Sequence, residues 1–164
     1  MSRIPFFVMV LVLVFSSSQS ILAAKKTIYE LKAADIATYI AEKSGKKRVI
    51  MIYTSWCPHC RNAMPFLIEI EKTEPGSVIA LSQDESFDQL AAYVKTLEEI
   101  PFDVIMNKEG QERGALEKTL KSEFGIKPWR GFPTYIFIDE NNKVIDQGNF
   151  HGQTVLDFLT GKYP

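Results

Sequence analysis

The chain has 164 residues, 46% apolar and 24% charged, enough for one domain with a real core. Its formal net charge of -1, with acids and bases mixed along the chain, excludes the electrostatic footprint of a nucleic-acid binder or of a protein held on an anionic membrane surface. No nucleic-acid partner is expected.

Arg3 precedes an unbroken apolar run from Ile4 to Phe15, and the small polar stretch Ser16 to Ser20 follows. That order of charge, apolar core and cleavage region belongs to a secretory signal. Residues 1–24 are therefore assigned to a signal peptide, cut after Ser20 or Ala24 or kept as an uncleaved anchor, and residues 25–164 to the domain proper. The expected location is periplasmic or otherwise extracytoplasmic. The run is shorter than the roughly 20 residues that span a bilayer as a helix.

From Lys25 to Lys47, Ile36 and Ile40 recur with polar residues between them, opened by Asp35 and stopped at Ser44-Gly45, which predicts an amphipathic helix. Val49 to Thr54 is a continuous β-prone apolar run, the texture of a central strand buried on both faces. It leads straight into Trp56-Cys57-Pro58-His59-Cys60. Met64, Phe66, Leu67 and Ile70 then recur at helical spacing, with Pro65 inside the pattern as a kink and Pro75-Gly76 as the stop. A strand over Ser77–Leu81, a helix over Phe87–Leu97, a strand over Phe102–Met106 and a charged helix over about Gly114–Phe124 follow. Such alternation predicts parallel crossovers. The last third changes pattern: Thr134–Ile138 and Lys143–Gln147 flank the polar turn Asp139 to Asn142 as an antiparallel hairpin. Val155, Leu156 and Leu159 mark a closing helix that ends near Gly161.

Cys57 and Cys60 are the chain's two cysteines, and export would place them where disulfides persist. A pair so close encloses almost no loop, so it would do little as a structural staple. A strand running into Cys-x-x-Cys at the opening of a helix instead puts the first sulfur at a helix N-terminus, where free N–H groups and the helix dipole favour negative charge. Pro58 suits the first helical turn, since the donor it lacks would go unused there. His59, when protonated, adds a nearby positive charge. Cys57 is thus the expected attacking sulfur. Cys60, one turn deeper on the same face, is the expected resolving sulfur that attacks Cys57 in a mixed disulfide and releases the substrate.

Trp56-Cys57-Pro58-His59-Cys60 after a buried strand, joined by Arg130-Gly131-Phe132-Pro133-Thr134 at the later hairpin, resembles the thioredoxin superfamily. The resemblance implies a thioredoxin fold of class α/β, with a central mixed sheet flanked by helices. It also implies that Pro133 follows a cis bond and faces the cysteines, while the backbone at Phe132 pairs with an extended substrate. Pro65 matches the family's kink proline. Between Cys60 and Pro133 lies roughly one strand-helix unit more than in a minimal thioredoxin, an insertion similar to that of the TlpA/ResA-like exported branch. The Cys-Pro-His-Cys tetrapeptide resembles the DsbA-type oxidants instead. Two positions depart from the relatives' patterns: Met51 stands where plain thioredoxins carry a buried Asp, and Ala63 where ResA-like reductases carry a Glu. Such acids can take the proton of the resolving thiol.

The resulting expectation is a thiol-disulfide oxidoreductase acting on cysteine-containing exported proteins through a redox-active Cys57–Cys60 disulfide. It leans toward oxidation, needs no organic or metal cofactor, and implies a membrane redox partner for recycling. Competing readings are an envelope reductase of the TlpA/ResA type, as in cytochrome c maturation, and a non-catalytic peptide-binding chaperone module. A thiol peroxidase would not need this helix-opening pair. A zinc site would need ligands beyond Cys57, Cys60 and His59, and His151 is the only other histidine. Trp56, Phe132 and Pro133 are the expected substrate-binding residues. Trp129 and Arg130 serve equally well as groove rim or as packing and a solvated charge.

Overall fold

The computed structural model describes residues 27–109 and 113–164. The signal or anchor expected over residues 1–24 lies outside them. Within the described residues the chain order is β1 (Ile28–Leu31), α1 (Ala33–Glu42), β2 (Arg48–Tyr53), α2 (Pro58–Thr73), β3 (Val78–Ser82), α3 (Phe87–Thr96), β4 (Val104–Asn107), α4 (Arg113–Phe124), β5 (Thr134–Ile138), β6 (Val144–Gly148) and α5 (Gly152–Leu159). The six strands form one sheet in the order β1-β4-β3-β2-β5-β6. Pairing is parallel from β1 through β2, while β5 runs antiparallel to both β2 and β6. The mixed sheet has the thioredoxin arrangement expected from the two motifs, and two strand-helix units, β3–α3 and β4–α4, stand between α2 and the hairpin.

β2 organises the core because all six of its residues are buried. Successive side chains of a strand point to opposite faces. Val49, Met51 and Tyr53 accordingly pack with Met64 and Leu67 of α2, Leu90 and Val94 of α3 and Phe158 of α5. Ile50 and Ile52 pack on the other face with Ile36 and Ile40 of α1 and Leu116 and Leu120 of α4. Helices thus cover both faces, and the continuous apolar texture of Val49–Tyr53 follows from that.

The segment before Arg48 needs correcting. It holds a strand, β1, as well as the helix, and α1 starts at Ala33 rather than at Asp35. Asp35 lies in the first turn; the backbone N–H of Ala33 donates instead to Glu109 Oε2 at 3.2 Å. β1 has four residues, two of them exposed, and its register is set by β4. So short an edge strand has no alternation to read. The strand expected over Phe102–Met106 begins later, at Val104, and β6 ends at Gly148, because the ladder partners decide where pairing begins and stops.

Two buried charges hold loops in place. Arg48, 0% exposed, donates to the carbonyls of Ile40, Lys46 and Asp139 and to Asn142 Oδ1, tying α1, β2 and the hairpin turn together. Glu71 near the end of α2 accepts the N–H groups of Gly76, Ser77 and Val78. Burial raises the ionisation point of its carboxyl, and those three hydrogen bonds oppose the rise. Gly76 has φ +79, a left-handed turn that brings the chain back into β3 and that side-chain-bearing residues rarely adopt.

Candidate active site

The cysteines sit where β2 hands the chain to α2, at the carboxyl end of the central strand. Cys57 is the N-cap of α2 in extended conformation, and its sulfur accepts the backbone N–H of Cys60 at 3.3 Å. Pro58 occupies the first turn, and the helix runs on through Pro65. Cys57 is 5% exposed and Cys60 1%, both in the reduced state. Pro58 and His59 are exposed beside them.

The opposite wall comes from the chain before β5. The Phe132–Pro133 peptide bond is cis, and the Phe132 carbonyl accepts the Cys57 thiol at 3.7 Å. Trp56, 56% exposed, meets the Phe132 ring edge-on at 6.3 Å between centroids. Trp56, Cys57, Phe132 and Pro133 are therefore brought together from two distant segments. Trp129 is buried at 4% exposure and packs in the core against α4, while Arg130 is exposed. His151 lies at the start of α5, exposed and without a side-chain cap bond.

Burial pushes the Cys60 thiol up to about 12, with the neighbouring Cys57 sulfur adding to the rise through its hydrogen bond and charge. Met51, 0% exposed, and Ala63, partly buried against the same cluster, bring no acid to it. The thiol of an unfolded chain would ionise near 9.0. A group raised in the folded state stabilises the fold below its unfolded value and loses that contribution as pH climbs toward the folded value. The reduced protein should therefore lose stability between about pH 9 and about pH 12, and Cys60→Ala should lose less over the same range. Denaturant unfolding of both reduced proteins across that range checks this. Parallel pH curves would refute it.

Three residues that the motif reading passed over shape the loop before Cys57. Asp84, 0% exposed, follows β3, and its carboxylate accepts the Ser55 N–H at 2.9 Å, the Ser55 hydroxyl at 2.6 Å and the Ser82 hydroxyl at 2.6 Å. Arg61 Nε donates to the Ser55 carbonyl at 2.5 Å, and its guanidinium lies 5.0 Å from the centroid of the Tyr93 ring. Ser55 is thus held through its N–H, its carbonyl and its hydroxyl. The available signal was the pair Ser82 and Asp84 at the carboxyl end of a strand, the edge of an α/β sheet where sites gather. Among the described residues no group of three or more His, Cys, Asp or Glu side chains is arranged to hold a metal ion.

A dithiol at the N-terminus of the helix after the central strand, faced by a cis-proline loop, defines a class: the thioredoxin-fold thiol-disulfide oxidoreductases. The chain belongs to the Redoxin family, whose model matches residues 17–155. Over 146 residues, 88% of the chain, it is 25% identical to a protein disulfide-isomerase of Hordeum vulgare, and it spans only 22% of the length of that curated relative. Among solved structures it is similar to the thiol:disulfide interchange protein DsbE of Chlorobium tepidum, with TM-score 0.58, 20% identity and coverage of 75% of this chain and 84% of the other. It is also similar to the exposed lipoprotein thioredoxin Etrx1 of Streptococcus pneumoniae, with TM-score 0.57, 21% identity and coverage of 74% and 89%. These likenesses are likenesses of fold. No helix of the described residues is long and apolar enough to cross a membrane.

Proposed function

We propose that this chain exchanges dithiols and disulfides with cysteine-containing exported proteins and leans toward donating disulfides. The observation that carries the reading is the placement of Cys57 as N-cap of α2, with the Cys60 N–H on its sulfur and no acid at Met51 or Ala63. Negative charge is favoured at such a helix end. Stabilising the reduced pair makes its disulfide a stronger oxidant. In this reading Cys57 forms the mixed disulfide, Cys60 is the resolving sulfur when a substrate is reduced and the leaving sulfur when one is oxidised, His59 when protonated adds charge beside the sulfur, Pro58 shapes the first turn, and Trp56, Phe132 and Pro133 line the groove for an extended substrate. The redox-active disulfide is its own cofactor, and a membrane protein recycles it. The leader pattern of residues 1–24 and the exposed lipoprotein among the fold relatives support a location outside the cytoplasm.

The direction of exchange is measurable. A reduction potential nearer to about −120 mV than to about −270 mV, together with oxidation of a reduced, unfolded protein substrate, is the expected result. A potential at the thioredoxin end with insulin reduction as the dominant activity would refute the oxidant reading. It would favour the reductase alternative.

A further inference from the structure

The resolving sulfur shares its cluster with two hydroxyls that have no other assigned use. Tyr53 ends β2 and Tyr93 lies within α3; they are 0% and 7% exposed and belong with Cys60 to one packed cluster. Both hydroxyl oxygens are buried, and neither finds a hydrogen-bond partner among the described residues. A buried donor left unpaired is unfavourable, and the exceptions in native structures call for an explanation. Burial holds the Tyr53 hydroxyl well above the ordinary tyrosine range, with Asp84, Tyr93 and Cys60 adding to the rise. Burial pushes Tyr93 up to about 12, Arg61 opposing and Cys60 adding. Both are therefore neutral O–H donors at ordinary pH and poor proton acceptors. The groups within electrostatic reach of Cys60 are Tyr53 from β2, Cys57 at the head of α2, Tyr93 from α3 and Tyr135 from β5, with Asp84 after β3 acting on Tyr53 and Arg61 of α2 on Tyr93. None of them is a carboxylate placed on the sulfur.

We infer that Tyr53 and Tyr93 are the hydrogen-bond donors that stabilise Cys60 as a thiolate, in a site where neither Met51 nor Ala63 supplies a base to take its proton. The inference rests on the dithiol-exchange reading. When a substrate thiolate attacks Cys57 in the Cys57–Cys60 disulfide, the substrate–Cys57 bond forms, the Cys57–Cys60 bond breaks, and its electron pair leaves on Cys60, which later takes a proton from solvent. The second substrate thiolate then attacks the substrate sulfur of the mixed disulfide and expels Cys57. Two electrons have passed from the substrate dithiol to the two cysteines. In the reverse direction the same Cys60 thiolate attacks Cys57 and expels the substrate thiolate. Either way the charge on Cys60 is met by O–H groups that keep their own protons.

Tyr53→Phe, Tyr93→Phe and the double substitution each remove hydroxyl oxygen only. Release of a cysteine-containing peptide from its mixed disulfide with Cys57, followed against pH, should be slowed about tenfold in the Tyr53 variant and further in the double. The rising limb of the profile should move up by about one pH unit. The unfolding midpoint should hold or rise, because the lost hydroxyls were unpaired. Each single variant is read alongside the double, so one poorly folded protein leaves the others to decide. Release rates and pH profiles equal to wild type in the folded variants would overturn the tyrosine role alone. A wild-type protein that forms no mixed disulfide at Cys57 would overturn the exchange reading and this inference with it.

Discussion

Cys57→Ser should abolish disulfide exchange, lowering turnover at least about a thousandfold, while Cys60→Ser should retain the first attack and accumulate mixed disulfides. The asymmetry follows from the helix end. Cys57 is the N-cap residue beside the exposed Trp56 and under the Phe132 carbonyl, whereas Cys60 is 1% exposed, its backbone N–H donating to the Cys57 sulfur. A serine oxygen at position 57 keeps the cap but neither ionises at ordinary pH nor forms a disulfide. Insulin reduction and oxidation of a reduced protein, run in parallel on both variants, check the prediction. Activity that survives Cys57→Ser would point to the chaperone alternative, since peptide holding needs no thiol. The partners captured by Cys60→Ser also carry information: proteins with structural disulfides support oxidation, and haem-binding Cys-x-x-Cys proteins support reduction.

Asp84→Ala should destabilise the protein by about 3–5 kcal/mol and slow exchange by about tenfold or more. The carboxylate is fully buried and accepts three donors, the Ser55 N–H, the Ser55 hydroxyl and the Ser82 hydroxyl. Removing it strands all three in the interior, and an unsatisfied buried donor costs about 1–3 kcal/mol. Asp84→Asn should do less damage, about 1–2 kcal/mol, because the amide keeps an acceptor oxygen and a serine hydroxyl can turn to accept from the new NH2. The slower exchange comes through the chain: Ser55 is two residues before Cys57, and Asp84 and Arg61 anchor it from opposite sides. Denaturant unfolding of the oxidised protein checks the first effect, and mixed-disulfide formation with a model peptide checks the second. A loss below about 1 kcal/mol for the alanine variant would show that the network carries little of the loop's stability.

Much of this was legible from local pattern. The continuous apolar run Val49–Thr54 has the texture of a central strand covered on both faces, and the structure buries all six residues of β2, Arg48–Tyr53. The punctuation at Pro75-Gly76 marked a true turn, with Gly76 at φ +79. β1 was not legible, because a four-residue edge strand is defined by its partner β4, 76 residues away in the pairing of Ile28 with Val104 onward. Arg48 stands between the helical pattern and the apolar run with no local signal of its own, yet it is a fully buried strap with hydrogen-bond acceptors in α1 and the hairpin turn. A charged side chain can be buried when it is hydrogen-bonded, and its partners were spread along the chain.

The alternation of strands and helices and the Cys57–Cys60 pair at a helix opening are written in contiguous residues whose spacing and turn chemistry act locally. The thioredoxin fold and the proline loop facing the pair followed from the resemblance of two motifs to that superfamily. Only the tertiary structure decided what surrounds the sulfurs. Phe132 reaches Cys57 across 75 positions of chain, Asp84 reaches Ser55 across 29, and the tyrosines of β2 and α3 share with Cys60 a cluster assembled from seven elements. The physical reason is that a thiol's chemistry depends on burial, on hydrogen bonds and on nearby charge. All three are set by which segments pack together, and no single stretch of the chain contains them.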